Sequence, residues 1–183
     1  TAGLWLINAS LGSAMVGVSA LVVAVVAAER SFGLLPMLGL PTGVAFITGF
    51  LLLDFSSYLK HRAFHALPVL WQLHVVHHSD ADMDVGTCLR HHPADYLLDS
   101  LLTAGVVLLL GAPVAAVLAY FALSTIHNPL RHGNIALPPW LDAVLRPIIV
   151  TPDWHRVHHS AIERETNSNY GVLFTCWDRW FRT

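Results

Sequence analysis

The sequence predicts an all-α protein: an integral membrane helical bundle carrying a polar, histidine-rich cap. Three observations point there. Hydrophobic residues make up 55% of the 183-residue chain and charged residues only 12%, against roughly a quarter in ordinary soluble domains. That is too little charge to cover a water-soluble globule. Second, Leu4 to Ala28 contains 25 residues without a charge, and about 20 apolar residues are enough to cross the hydrocarbon core of a bilayer. Third, nine of the ten Lys and Arg residues, all but Arg30, follow the second apolar segment.

Each element follows in order, within one membrane domain spanning 1–183. The first transmembrane helix is expected at about 4–28. A secretory signal peptide has a shorter apolar core, about 7–15 residues, and a basic start that is missing here. Thr1 in place of Met points to a trimmed start. After the polar break Glu29-Arg30-Ser31, a second transmembrane helix is expected at about 34–58. Pro36, Gly39 and Pro41 interrupt its beginning, so its cleanest part starts near Thr42. The chain leaves the membrane around Asp54 to His65, and Pro68 ends or bends the helix. A cap formed by 59–96 and 128–183 surrounds a helical hairpin at about 97–127, whose reversal is Gly111-Ala112-Pro113.

The hairpin also has a geometric basis. "LHVVHHS" (Leu73–Ser79) and "WHRVHHS" (Trp154–Ser160) repeat one H-x-x-H-H-S pattern, 81 residues apart. If both copies serve one site, the segment between them crosses the membrane an even number of times or not at all. The concentration of Lys and Arg places that side in the cytoplasm by the positive-inside rule. Net charge is −2, which gives no reason to expect nucleic acid as a partner. Cys88 and Cys176 form neither a C-x-x-C pair nor a disulfide framework.

Three histidine patterns carry the chemistry. His61 and His65 form H-x-x-x-H, four apart and on one helix face. His74, His77 and His78 form the second pattern, and His155, His158 and His159 the third. One four-coordinate zinc cannot use eight imidazoles, so they suggest two ions and a dimetal cap. His127 and His132 follow the hairpin, and His91 and His92 lie in "RHHPAD". A lone H-x-x-x-H is often no more than a pair of interfacial residues. Two H-x-x-H-H copies beside it, in a chain this poor in polar residues, are not random surface histidines. No H-E-x-x-H is present, so a zinc metalloprotease lacks its general base. The Glu-rich pattern of soluble di-iron bundles is absent as well. An all-nitrogen set beside a membrane fits iron enzymes that turn oxygen on lipid C–H bonds.

From about Leu51 to Thr183 the chain resembles the fatty acid hydroxylase/sterol desaturase superfamily of membrane di-iron enzymes, in its bacterial form. The resemblance rests on "KHRAFH", "LWQLHVVHHS", "RHHPAD", "RHGNIALP", "TPDWHRVHHS" and "NSNYGVLFTCWDRW". One departure is "WFRT", where Leu-Phe-Gly-Thr is expected after "WDR"; a missing C-terminal extension is a further expectation. The resemblance implies two iron ions, with zinc as an ion such a site also takes up. It implies O2 as co-substrate and electrons from a donor such as a ferredoxin or a cytochrome with its reductase. Position by position, the implied ligands are His61, His65, His74, His77, His78, His155, His158 and His159. His132 matches the histidine of H-x-N-x-x-L-P, His92 that of R-x-H-P, and His127 is a looser match; His91 has none.

Asp54, Asn134, Asp153 and Tyr170 are expected to orient the imidazoles, with Asp95 and Asp178 as further candidates, because ligand rings need acceptors for their other N–H. Trp71, Trp140, Trp154, Trp177 and Trp180 are read as a membrane-interface belt. The expected protein is an O2-dependent lipid hydroxylase of the bacterial inner membrane, its site facing the cytoplasm. Its substrate is a fatty acyl chain, a sterol, a carotenoid or a related lipid. The rivals are a desaturase on the same centre, a zinc-dependent membrane hydrolase and a non-catalytic metal-binding membrane protein.

Overall fold

The structure is a computed structural model describing the backbone from Ala2 to Thr183, with side chains from Ala14 onward. It is helical throughout: α1 (Ala2–Glu29), α2 (Leu34–Met37), α3 (Thr42–Ala66), α4 (Pro68–His74), α5 (Pro93–Leu110), α6 (Val114–His132), α7 (Pro139–Leu145), α8 (Pro152–His158), α9 (Glu163–Thr166) and α10 (Cys176–Phe181). Short 3-10 turns lie at His77–Ser79 and Val85–Leu89. An isolated bridge, Ile149 to Phe174, is the sole β feature among the described residues.

Proline and glycine set the boundaries. Pro68, Pro93, Pro139 and Pro152 each open a helix, where the missing N–H is not needed and φ is already helical. Leu67, just before Pro68, is extended at φ −101° and ψ 117°, because a residue preceding proline is driven from the helical region. The expected segment 34–58 is divided. One turn, α2, is followed by Gly39 at φ 59° and Pro41, and the long helix runs from Thr42 to Ala66. The chain reverses between α5 and α6 at Gly111, φ 59°.

Two structural units emerge: residues 1–56 with 93–123, and residues 57–92 with 124–183. In the first, α1 runs parallel to α5. Val16, Ala20, Ala24 and Ala27 are buried on α1, and Tyr96, Ser100, Thr103 and Val107 on α5. Both series step by three and four, so each lies on one helical face. Lipid tails are as apolar as leucine, so helices in a bilayer gain by close packing of small residues rather than by hydrophobic burial. The Ser19 and Ser100 hydroxyls are 2.7 Å apart. Glycine is required at the far end of this pair. A Cβ on Gly33 would stand 2.2 Å from the Gly111 nitrogen, and one on Gly111 would stand 2.2 Å from the Phe32 carbonyl oxygen. A second pairing places Gly49 of α3 beside Pro113 and Ala116, with Phe50 edge-on to Tyr120 at 5.8 Å.

The outward residues are apolar too: Val18, Ile47, Leu101 and Leu109 are 59–70% exposed. Three segments, Ala14–Met37, Thr42–Ala66 and Pro93–Leu110, are long and apolar enough to cross a membrane. This is a membrane protein.

The second unit contains the C-terminal parts of α3 and α6 together with α4 and α7–α10. Its loops are tied by side chains. Buried Asp178 accepts from the Tyr170 and Gly171 amides at 2.8 and 2.9 Å. The Ile149–Phe174 bridge closes the same region.

Candidate metal centre

Nine histidines converge inside the second unit, in two groups. His61, His65, His74, His78 and His158 place one ring nitrogen each within 4.8 Å of the others; His77, His132, His155 and His159 do the same. The first group takes His61 and His65 from the end of α3, and the second takes His132 from the end of α6.

The two H-x-x-H-H copies supply the other six rings, and they cross over. The first copy sends its outer pair, His74 and His78, to the five-histidine group and its central His77 to the other. The second copy sends His155 and His159 to the four-histidine group and its central His158 to the first. The copies interlock where they meet. His78 stacks on His159 at 4.3 Å, His77 approaches His159 at 4.6 Å, and His78 approaches His158 at 4.7 Å.

Burial decides the protonation of these rings. His77, His132, His155 and His158 are pushed well below the ordinary histidine range, by loss of water first and by neighbouring imidazoles or Arg131 next. His159 falls to about 3 through burial and then the Arg131 charge. All five are neutral at pH 7 and carry one proton and one lone pair each.

The hydrogen bonds then show where the lone pairs point. His77 Nδ1 donates to the Thr87 carbonyl at 3.1 Å and His132 Nδ1 to the Asn128 carbonyl at 2.8 Å. A carbonyl only accepts, so both protons sit on Nδ1 and both Nε2 atoms are bare. Yet these two Nε2 atoms are 3.2 Å apart; His155, whose Nδ1 is unpartnered, reaches the bare His132 Nε2 with its own Nε2 at 2.9 Å and can donate to it. The five-histidine group repeats the pattern. His61 Nδ1 donates to Tyr170 O at 2.9 Å and His158 Nδ1 to Ser168 O at 2.7 Å, while their Nε2 atoms face each other at 3.0 Å. Facing lone pairs at that distance repel unless a cation lies between them. Unpartnered buried nitrogens on His65, His78, His155 and His159 make the same demand. The donor set fits a metal ion in each group: all nitrogen, neutral, and with the remote N–H held in several rings.

Two other expected ligands lie elsewhere. His127 is buried, but its Nε2 bonds the Val150 carbonyl at 2.8 Å and joins neither group. His92 is exposed and joins neither, whereas its neighbour His91 stacks flat on His77 at 4.3 Å. Adjacent residues point to different sides of the chain, and only the fold decides which side faces the centre.

Of the expected orienting residues, Tyr170 reaches the site through its carbonyl rather than its hydroxyl; its ring packs against His65 at 5.1 Å. Asp54 is fully buried within α3. Asp153 pairs with Arg156, and Asn134 is exposed. Both line a cavity of about 600 Å³ against His159, with Asp80, Asp82 and Glu165. The acceptors Asn167, Ser168, Thr87 and Asn128 escaped sequence reasoning. Three act through backbone carbonyls, which any residue type provides. The tryptophans divide: Trp140 and Trp180 are about 70% exposed, but Trp71 packs on His65 and His78.

The profile of the fatty acid hydroxylase family matches residues 46–183, a stretch containing all nine histidines. The chain belongs to the fatty acid hydroxylase family. Ornithine lipid hydroxylase OlsE of Rhizobium tropici is 32% identical over 139 residues, covering 76% of this chain and 41% of its own length. Human alkylglycerol monooxygenase is 30% identical over 139 residues, covering 74% and 29%. A very-long-chain aldehyde decarbonylase, GL1-8 of Oryza sativa subsp. indica, is 27% identical over 134 residues, covering 73% and 49%. The chain therefore spans less than half the length of these relatives. No solved structure matches it. The fatty acid hydroxylase family is one of oxidoreductases, with a lipid hydroxylase and a monooxygenase among the relatives of this chain.

Proposed function

We propose that this protein is an O2-dependent di-iron lipid hydroxylase that inserts oxygen into a C–H bond using external electrons. The observation that carries the reading is the pair of all-histidine groups whose bare nitrogens face one another. The family relatives named as hydroxylase and monooxygenase favour hydroxylation over desaturation. The absence of an H-E-x-x-H motif weighs against a zinc-dependent hydrolase.

The metal ligands in this reading are His61, His65, His74, His78 and His158 for one ion, and His77, His132, His155 and His159 for the other. Iron bound there would supply O2 activation and one-electron chemistry. The overall reaction converts a C–H bond, O2, two electrons and two protons into an alcohol and water. The protein's residues contribute position and environment. The carbonyls of Thr87, Asn128, Ser168 and Tyr170 hold four ring N–H groups, so the opposite nitrogens stay aimed inward. Burial of His155 and His158 keeps water from those rings. The electron donor is a ferredoxin or a cytochrome with its reductase, and the substrate is an acyl, sterol, carotenoid or related lipid. Helices of the first unit cross a bacterial inner membrane, and the histidine groups face the cytoplasm.

Mass spectrometry of membrane lipids after expression with and without O2 tests the reading. A lipid gaining one oxygen atom only with O2, and not with His158→Ala, is expected. Loss of two hydrogens instead would reassign the protein as a desaturase. An O2-independent product, with zinc as the working ion, would make it a hydrolase.

A further inference from the structure

We infer that the two histidine groups are held by separate frames, with Asp178 the positioning residue of the five-histidine group and Thr87 that of the four-histidine group. This rests on the dimetal reading above.

The acceptors of the ring N–H groups are divided between the groups. Three rings of the five-histidine group are served by one short segment. Asn167 Oδ1 lies 3.4 Å from His65 Nδ1, Ser168 O accepts from His158 at 2.7 Å, and Tyr170 O accepts from His61 at 2.9 Å. The four-histidine group uses different carbonyls, those of Thr87 and Asn128.

Each frame has its own anchor. Asp178 is only 2% exposed, and it spreads its two oxygens over three donors. Oδ1 accepts from Tyr170 N at 2.8 Å and Thr183 Oγ1 at 2.9 Å, and Oδ2 accepts from Gly171 N at 2.9 Å. Those amides flank the carbonyl that holds His61. The turn has no slack, because a Cβ on Gly171 would lie 2.8 Å from Asp178 Oδ2 and 2.7 Å from Phe174 O. Asn169 sits at φ 56° with its side-chain amide donating to Trp154 O at 3.2 Å. Thr87 is fully buried; its hydroxyl donates to Asp80 at 2.8 Å and accepts from the Asp84 amide at 3.0 Å. That locks the Thr87 carbonyl onto His77. Neither Asp178 nor Thr87 belongs to a donor group, so each acts through the carbonyl it fixes.

Loosening one frame should therefore weaken one ion and spare the other. Groups that orient ligand rings change metal affinity by about 10–100-fold when removed. The test uses the full chain purified in detergent, with cobalt(II) as probe, counting bound equivalents and following the visible absorption. One group is disabled in each background, by H132A/H155A or by H61A/H65A. Asp178→Asn is expected to weaken the remaining cobalt about 10–100-fold in the H132A/H155A background and to leave it unchanged in the H61A/H65A background. Thr87→Val is expected to do the reverse. Circular dichroism confirms folding of each variant. Should Asp178→Asn fail to fold, Asn167→Ala, which removes an exposed side chain, carries the same comparison with a smaller change. Equal weakening in both backgrounds, or none in either, overturns the inference. Wild-type chain binding fewer than two cobalt ions overturns the dimetal reading instead.

Discussion

The first unit buries alanine and glycine, whereas the second buries histidine. Along α1, Ala20, Ala24 and Ala27 are at most 1% exposed, facing Ser100, Thr103 and Val107. In the second unit, His132, His155 and His158 are equally hidden, and several of their nitrogens face other nitrogens. The first unit needs only shape, since small residues allow backbones to approach and the outward side chains are apolar. The second carries an electrostatic demand that its own atoms do not meet. Enlarging a residue should damage the first unit, and removing one should damage the second.

The largest effect is expected at the crossing of the motifs. His77→Ala and His158→Ala should each abolish the oxygen-dependent lipid product and lower bound metal from two equivalents towards one, measured by elemental analysis. Retained product in either variant would break the comparison at its strongest point. Gly111→Ala should destabilise the first unit by about 3 kcal/mol, because its positive φ is strained for alanine and the new methyl meets the Phe32 carbonyl. Thermal unfolding in detergent reads this loss. Ala24→Leu forces extra methylenes between α1 and α5 and should cost about 2 kcal/mol in the same assay. Ser100→Ala removes one hydroxyl pair between the helices, for which about 0.6 kcal/mol is typical in membranes. Leu109→Ala, 70% exposed on the outward face, should change stability by less than about 0.5 kcal/mol. A larger loss there would mean that this face packs against something other than lipid.

The long helices were readable because their punctuation is local. The stop before Pro68 and the reversal at Gly111 follow steric rules acting within a few residues, whereas the helix starts at Pro93, Pro139 and Pro152 lay in segments read only as cap. Position 34–58 was harder, since hydropathy runs on through Gly39 and Pro41 while the backbone does not. The nine clustered histidines were all among the candidates, because imidazoles in repeated patterns are rare in so apolar a chain. His127 and His92 passed the same filter and ended elsewhere. Composition cannot distinguish a buried histidine that holds a carbonyl from one that faces other histidines.

By itself, the sequence determined the chemistry on offer: apolar helices, two matching H-x-x-H-H motifs, and no carboxylate built into either. Only the tertiary structure decided how those motifs are used. Each copy divides its three rings between the two groups, and the second copy divides them in the opposite sense to the first. The spacing is identical in both, so nothing local distinguishes them. The assignment depends on which neighbours meet each ring: the end of α3 brings His61 and His65 to one group, and the end of α6 brings His132 to the other. Those are contacts between residues distant in the chain, and they exist only once the helices have packed.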